Sequence, residues 1–157
     1  MNKHPSVCLT SPYGDKVQID EEIAELIQLI WNTGLYTWNS CQDNFGYVWI
    51  HFASADEASE FLTIVQKYGD KELRLRANPY DVDPHDRWQL GMRYGVWDDT
   101  WLIAAINSVH KRDTHITISI RFPREHLDRV VGVMRRHKKR EERRISEAPL
   151  TSTQESA

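Results

Sequence analysis

Cysteine is scarce in this chain: Cys8 and Cys41 are its only two thiols, with thirty-two residues between them. That spacing makes no zinc knuckle and no disulfide framework. Long apolar runs are also missing. None approaches the roughly 20 residues needed to cross a bilayer, and no signal-peptide pattern opens the chain. There is no glycine-rich phosphate loop and no paired acid and base at a spacing that suits catalysis. These absences exclude a disulfide-stapled secreted scaffold and a helical membrane protein. They lead us to expect a cytoplasmic protein with reduced thiols, no membrane partner, no metal, no cofactor and no catalytic residue.

What is present is an ordinary globular composition, 40% hydrophobic and 27% charged, with six tryptophans among its 157 residues. This length suits a single domain that buries about two-thirds of its unfolded surface. The net charge of −3 conceals an asymmetry. Arg121 to Arg144 holds ten Lys or Arg against four acids, whereas Met1 to Ile120 holds ten against seventeen. A basic end on an acidic body suits either an anionic partner or a solvated helix that complements its own domain.

Hydrophobic periodicity supplies the element order. Val7–Leu9 and Val17–Ile19 read as short strands. Asp20 is placed as a helix N-cap, followed by the apolar face Ile23, Leu26, Ile27, Ile30 and Trp31, with Gly34 as the stop. Leu35–Asn39 reads as a strand, Ser40–Asn44 as a bend, and Gly46–Phe52 as the clearest strand. Val48, Ile50 and Phe52 alternate there with Tyr47, Trp49 and His51. Ser54 to Glu57 is a capping box opening a helix with the stripe Ala58, Phe61, Leu62 and Val65. Glu72–Arg76 alternates like a strand. Trp88–Tyr94 alternates too, with Trp88, Leu90, Met92 and Tyr94 on one face. Trp101–Val109 is apolar throughout and fits helix or strand. His115–Phe122 reads as a strand, and Pro123 suits the first turn of a helix with the stripe Leu127, Val130, Val131 and Met134. That helix continues as "RRHKKREERR".

The sum is an α+β domain over residues 1–145, with a disordered tail over 146–157. Its sheet is antiparallel or mixed, with helices packed mainly on one face. A ferredoxin-like, RRM-like β-α-β-β-α-β core carries an extra strand pair and a long basic C-terminal helix.

The candidate site centres on "TWNSCQDNFGYVWIHF", Thr37 to Phe52. A bend at the sheet rim would present Thr37, Ser40, Cys41 and Gln42 as polar contacts and Trp49 as a stacking wall. Arg121, ending a neighbouring strand, would supply charge for an anionic small molecule such as a nucleotide. The plainer reading is that Ser40 and Asp43 or Asn44 satisfy turn backbone while Cys41 packs inward. Cys41 as a nucleophile is a further alternative, but it needs a nearby base and a depressed pKa. The loop "DVDPHD" offers Asp81, Asp83, His85 and Asp86, yet it lacks the glycine and downstream glutamate of a calcium loop.

"FGYV" at Phe45–Val48, followed by Ile50, resembles the core of the first ribonucleoprotein motif of RNA-recognition modules. Those modules stack bases on sheet-face aromatics. The resemblance implies a Tyr47 and Trp49 platform. Separately, the charge pattern offers Arg135, Arg136, Lys139 and Arg140 of the basic helix as phosphate contacts, with or without that platform. Asp43 and Asn44 stand where the motif has a basic residue and a glycine. Ile19 to Val65, together with "ITISIRFPREHLDRVV" at Ile116 to Val131, resembles a group of small uncharacterised bacterial and phage-encoded proteins. Its hallmark is a T-x-x-SCQ segment, here Thr37, Ser40, Cys41 and Gln42, then Gly46, and a strand ending in Arg121, Phe122 and Pro123. This resemblance implies an architecture and a phage- or prophage-type accessory protein with a binding site at the hairpin.

Overall fold

The computed structural model describes residues 4–43, 45–78, 88–95 and 115–148. Strands β1 (Ser6–Thr10) and β2 (Lys16–Asp20) form an antiparallel hairpin. Gly14, at φ 90°, and the Ser11 hydroxyl, which accepts from the Tyr13 and Asp15 N–H groups, shape its turn. A 3-10 turn at Glu21–Ile23 leads into α1 (Ala24–Asn32). Strands β3 (Thr37–Gln42) and β4 (Tyr47–Phe52) follow, then α2 (Ala55–Tyr68) and α3 (Lys71–Arg76). Strands β5 (Gln89–Gly95) and β6 (His115–Pro123) and the long helix α4 (Leu127–Glu147) complete the described chain.

β3, β4, β6 and β5, in that spatial order, make a fully antiparallel four-stranded sheet. One face carries Val48, Ile50, Phe52, Ile120 and Phe122, all with no exposed surface. The helices α1, α2 and α4 pack together over that face. The α+β class, with helices stacked on one side of an antiparallel sheet, is therefore the architecture of the chain. The strand order within it is simpler than a ferredoxin-like core. β1 and β2 form their own sheet, and the larger sheet consists of two hairpins joined through β4 and β6.

Several local expectations need correction. Glu72–Arg76 is helical, not extended. The Asp70 carboxylate accepts from the Glu72 and Leu73 N–H groups, and this cap outweighs a five-residue alternation. Asp20 does not cap α1 with its side chain. Its carboxylate reaches across to accept from the Gln42 N–H at 2.9 Å. In α2 the buried stripe is Ala58, Phe61, Ile64 and Val65, with Leu62 at its margin. Leu90 and Met92 keep the expected shared face, pairing with Ile120 and Ile118, but the strand starts one residue after Trp88. Trp88 precedes β5 and is buried, whereas Leu90 and Met92, on the edge strand, are half exposed. Ser146 and Glu147 belong to α4 rather than to a tail. Trp101–Val109 and the acidic loop of Asp81 to Asp86 lie outside the described residues.

Trp88 and His126 form a node beneath the helices. The indole stacks on Phe122 at 4.6 Å between ring centroids, and its Nε1–H donates to His126 Nδ1 at 3.1 Å. His126 is 2% exposed. Accepting at Nδ1 requires the neutral ring with its proton on Nε2, the atom that faces Glu72 and Glu125 at 3.9 Å each. Burial first, and the nearby Arg129 charge second, hold the His126 pKa below its ordinary value.

Two expectations follow. Ile50→Ala leaves a cavity at the centre of the buried face and should cost about 2–5 kcal/mol in urea unfolding; a cost under about 0.5 kcal/mol would remove Ile50 from the core. For His126 the folded state favours the neutral ring. Its contribution is complete above the ordinary histidine pKa of about 6.5 and is lost as pH falls towards the depressed value. The urea midpoint should drop as pH falls below about 6.5, and His126→Gln should flatten that limb. Asp70, held at about 2 by Arg129, acts in a separate, more acidic window.

Candidate functional site

The β3–β4 hairpin does not bend where the sequence reading puts the bend. Ser40, Cys41 and Gln42 are strand residues, and the turn falls beyond them, closing at Gly46 with φ 84°. The Asp43 carboxylate organises that turn by accepting from the Phe45 and Tyr47 N–H groups. Because side chains alternate across a strand, the candidate residues are divided between two faces. Ser40 pairs with Ile50 and Gln42 with Val48, so both belong to the helix-covered side. Thr37 pairs with Phe52, and its hydroxyl accepts from Trp31 Nε1 at 2.9 Å. Cys41, Trp49, Arg121 and Gln89 form one row across the opposite face.

Most charged and amide groups in this region are already engaged, whereas Ser40 Oγ and Gln42 Oε1 are sheltered without a hydrogen-bond partner. Gln42 is 4% exposed, and its amide Nε2 meets His4 Nδ1 at 3.0 Å. Arg121 donates to Asp43 Oδ2 from Nη2 at 2.5 Å and from Nε at 3.1 Å, and to Gln89 Oε1 from Nη1 at 3.3 Å. Its guanidinium also lies 4.1 Å from the centre of the Tyr47 ring, covering the surface on which a base would stack. Burial alone would raise the Asp43 carboxyl. The hydrogen bonds from Tyr47, Arg121 and Phe45 together outweigh it and hold the carboxyl below its ordinary range.

Cys41 donates its thiol proton to the Gln42 carbonyl at 3.1 Å. Burial, then the hydrogen bond and charge of Asp20, then the charge of Asp43, push its pKa up to about 11. A thiol surrounded by carboxylates stays protonated at neutral pH, the reverse of an activated nucleophile. Iodoacetamide should therefore label Cys41 slowly at pH 7, as followed by mass spectrometry of its peptide, while the exposed Cys8 labels faster. Rapid labelling of Cys41 at pH 6 would contradict this environment.

The basic helix is arranged differently. Its acids and those of the body each select particular cations. Glu25 holds Arg135, with Nε 2.6 Å from Oε1. Glu142 holds Lys138 at 3.9 Å, Glu141 holds Arg144 at 3.0 Å, and Asp70 and Glu72 hold Arg129. Arg136, Lys139, Arg140 and Arg143 have no carboxylate partner among the described residues. They recur at intervals of three and four and so share one helical face. That face lines a cleft of about 380 Å³ against the end of α2, where Lys67 and Tyr68 form the opposite wall.

The cleft is built by the close packing of α2 and α4. Arg136 Nη2 donates to the Tyr68 carbonyl at 3.0 Å, placing a cation at the negative end of α2. The charged ends of Lys67 and Arg140 each stand 5.2 Å from the centre of the Tyr68 ring. His137, with its ring 5.5 Å from that of Tyr68, has a sheltered Nδ1 with no partner.

Of the candidate phosphate contacts, Arg136, Lys139 and Arg140 meet in this cleft, and Arg135 turns away to Glu25. Arg143, Lys67 and Tyr68 were missed as site residues. The seven-residue spacing from Arg136 could have found Arg143. No local signal could have found the other two, because only helix packing brings them close.

Among the described residues there is no group of three or more side chains suited to hold a metal ion, and no helix is long and apolar enough to cross a membrane. No protein-family profile matches the chain, and no solved structure does. It is similar to an uncharacterized protein of Acanthamoeba polyphaga mimivirus, 28% identical over 120 residues. That alignment covers 71% of this chain and spans 58% of the viral protein's length.

Proposed function

We propose that this chain is a non-enzymatic binding module whose ligand is a polyanion, in the first place a nucleic acid, held along the basic cleft. One observation carries the reading: five cations share a single cleft with no carboxylate partner among the described residues, while the other cations of α4 are paired with acids. Crowding like charges at helical spacing is unfavourable for the isolated chain, and a row of phosphates relieves it. The hairpin supports an anionic small ligand less well, because Asp43 already neutralises Arg121. The setting we infer is that of a phage- or virus-type accessory protein acting in the cytoplasm. The T-x-x-SCQ resemblance and the virus-encoded relative support that setting, and both cysteines being free thiols is consistent with it.

Binding of a labelled single-stranded oligonucleotide tests this. Five phosphate contacts give a slope of about −3.5 in log K against log salt, or roughly a hundredfold loss between 50 and 200 mM. Reversing Arg136, Lys139, Arg140 and Arg143 to Glu should abolish binding while leaving the circular dichroism spectrum unchanged. Reversing Arg135 and Lys138, which are paired with acids, should have a much smaller effect. Equal losses from the two sets, or affinity insensitive to salt, would refute the cleft as the site. Because the body is acidic, binding at 150 mM salt should be weak and blind to sequence.

A further inference from the structure

The basic cleft has one wall that charge does not explain. Among the described residues that line it, Tyr68 is the only one without a formal charge. This residue ends α2, is half-buried, and packs on one side against the core. A tyrosine has few side-chain torsions, so a ring held this way loses little further freedom on contact with a ligand. His137 braces it from α4, ring to ring at 5.5 Å. Lys67 and Arg140 bring their charged ends to 5.2 Å from its centre.

Tyr47 offers the contrast. Arg121 lies 4.1 Å from the centre of that ring and is fixed there by its bonds to Asp43 and Gln89. Lys67 and Arg140 stand farther from Tyr68, and neither has a carboxylate partner among the described residues. A cation over a ring at an exposed site is held weakly. A charge-assisted bond to a phosphate oxygen is stronger. A phosphate entering the cleft therefore draws both cations off the ring, and the same step uncovers an aromatic face.

We infer that Tyr68 is a stacking platform for one unpaired base, so that the ligand of the basic cleft is single-stranded nucleic acid. This rests on the polyanion reading of that cleft and adds the part of the ligand that carries no charge. The cleft, at about 380 Å³, reaches the range of about 300–1,000 Å³ in which small-molecule sites fall, so it holds more than a phosphate group. Stacking on a side chain needs a base released from its neighbours, which a strand inside a duplex does not offer. Every base has a π-face, so the contact tolerates any sequence, in keeping with the sequence-blind binding expected of the cleft. A bare polyphosphate would engage the cations and leave the ring without a role.

The test compares two labelled single strands of equal length and charge, a thymidine oligonucleotide and its abasic counterpart, by fluorescence anisotropy at about 50 mM salt. The wild type should bind the thymidine strand about tenfold more tightly. Tyr68→Leu, which keeps an apolar side chain for packing, should bring the thymidine strand down to the abasic affinity. The slope of log K against log salt should stay unchanged in that variant, because the cations remain in place. Tyr68→Phe should keep the tenfold difference. With the thymidine strand annealed to its complement, wild type and Tyr68→Leu should bind equally. Equal affinity of the wild type for the two strands, or a thymidine preference that survives in Tyr68→Leu, would overturn the stacking role and leave the polyanion reading standing. A parallel loss for both strands in Tyr68→Leu, with an altered salt slope, would assign Tyr68 to the cleft's structure and overturn the inference too. Failure of the wild type to bind either strand would overturn both readings.

Discussion

Burial of one face of the four-stranded sheet is the constraint from which the other features follow. Val48, Ile50, Phe52, Ile120 and Phe122 are fully removed from water only because α1, α2 and the start of α4 lie together over them. Transfer of this apolar surface is the main favourable term in folding, and it fixes the phase of every strand. It also fixes where α4 begins. Leu127, Val130, Val131, Val133 and Met134 are buried, and no later residue of that helix is. The remaining thirteen residues to Glu147 continue for about 20 Å with no buried apolar residue, His137 and Arg140 lying against the Tyr68 ring.

That division gives α4 two roles. Its apolar start locks α1 and α2 against the sheet, and its charged continuation passes the end of α2. The acidic body does not neutralise this continuation evenly. Glu25, Glu141 and Glu142 reach the cations that face them, and the stripe turned towards Tyr68 has no carboxylate partner among the described residues. A uniformly solvated basic helix would show no such sorting.

The hairpin shows the opposite outcome, where packing removes the groups a sequence reader would select. The period of two sends Ser40 and Gln42 to one face and Cys41 and Trp49 to the other. Asp43 then occupies Arg121, and Arg121 covers Tyr47. The polar run is spent on holding the hairpin turn, the β6 strand and the β2 edge together. Asp20 contributes twice, accepting from the Gln42 N–H and keeping the Cys41 thiol protonated.

The sequence by itself determined the class of the fold, the face of each long element and the abrupt end of the apolar stripe at Met134. These are local properties: apolar residues at period two or at spacings of three and four must face the same side wherever the element packs. It also determined that the basic charge is concentrated in one segment. Short elements were less legible. Glu72–Arg76 alternates for only five residues, so one carboxylate cap at Asp70 was enough to make it helical. Asp20 reads as a cap because its real partner is twenty-two residues away. Only the tertiary structure decided the strand order, the pairing of Arg121 with Asp43, and which cations keep a carboxylate. Each of these depends on groups distant in the chain approaching within a few ångströms, and that proximity is set by how the helices pack on the sheet, which no local pattern encodes.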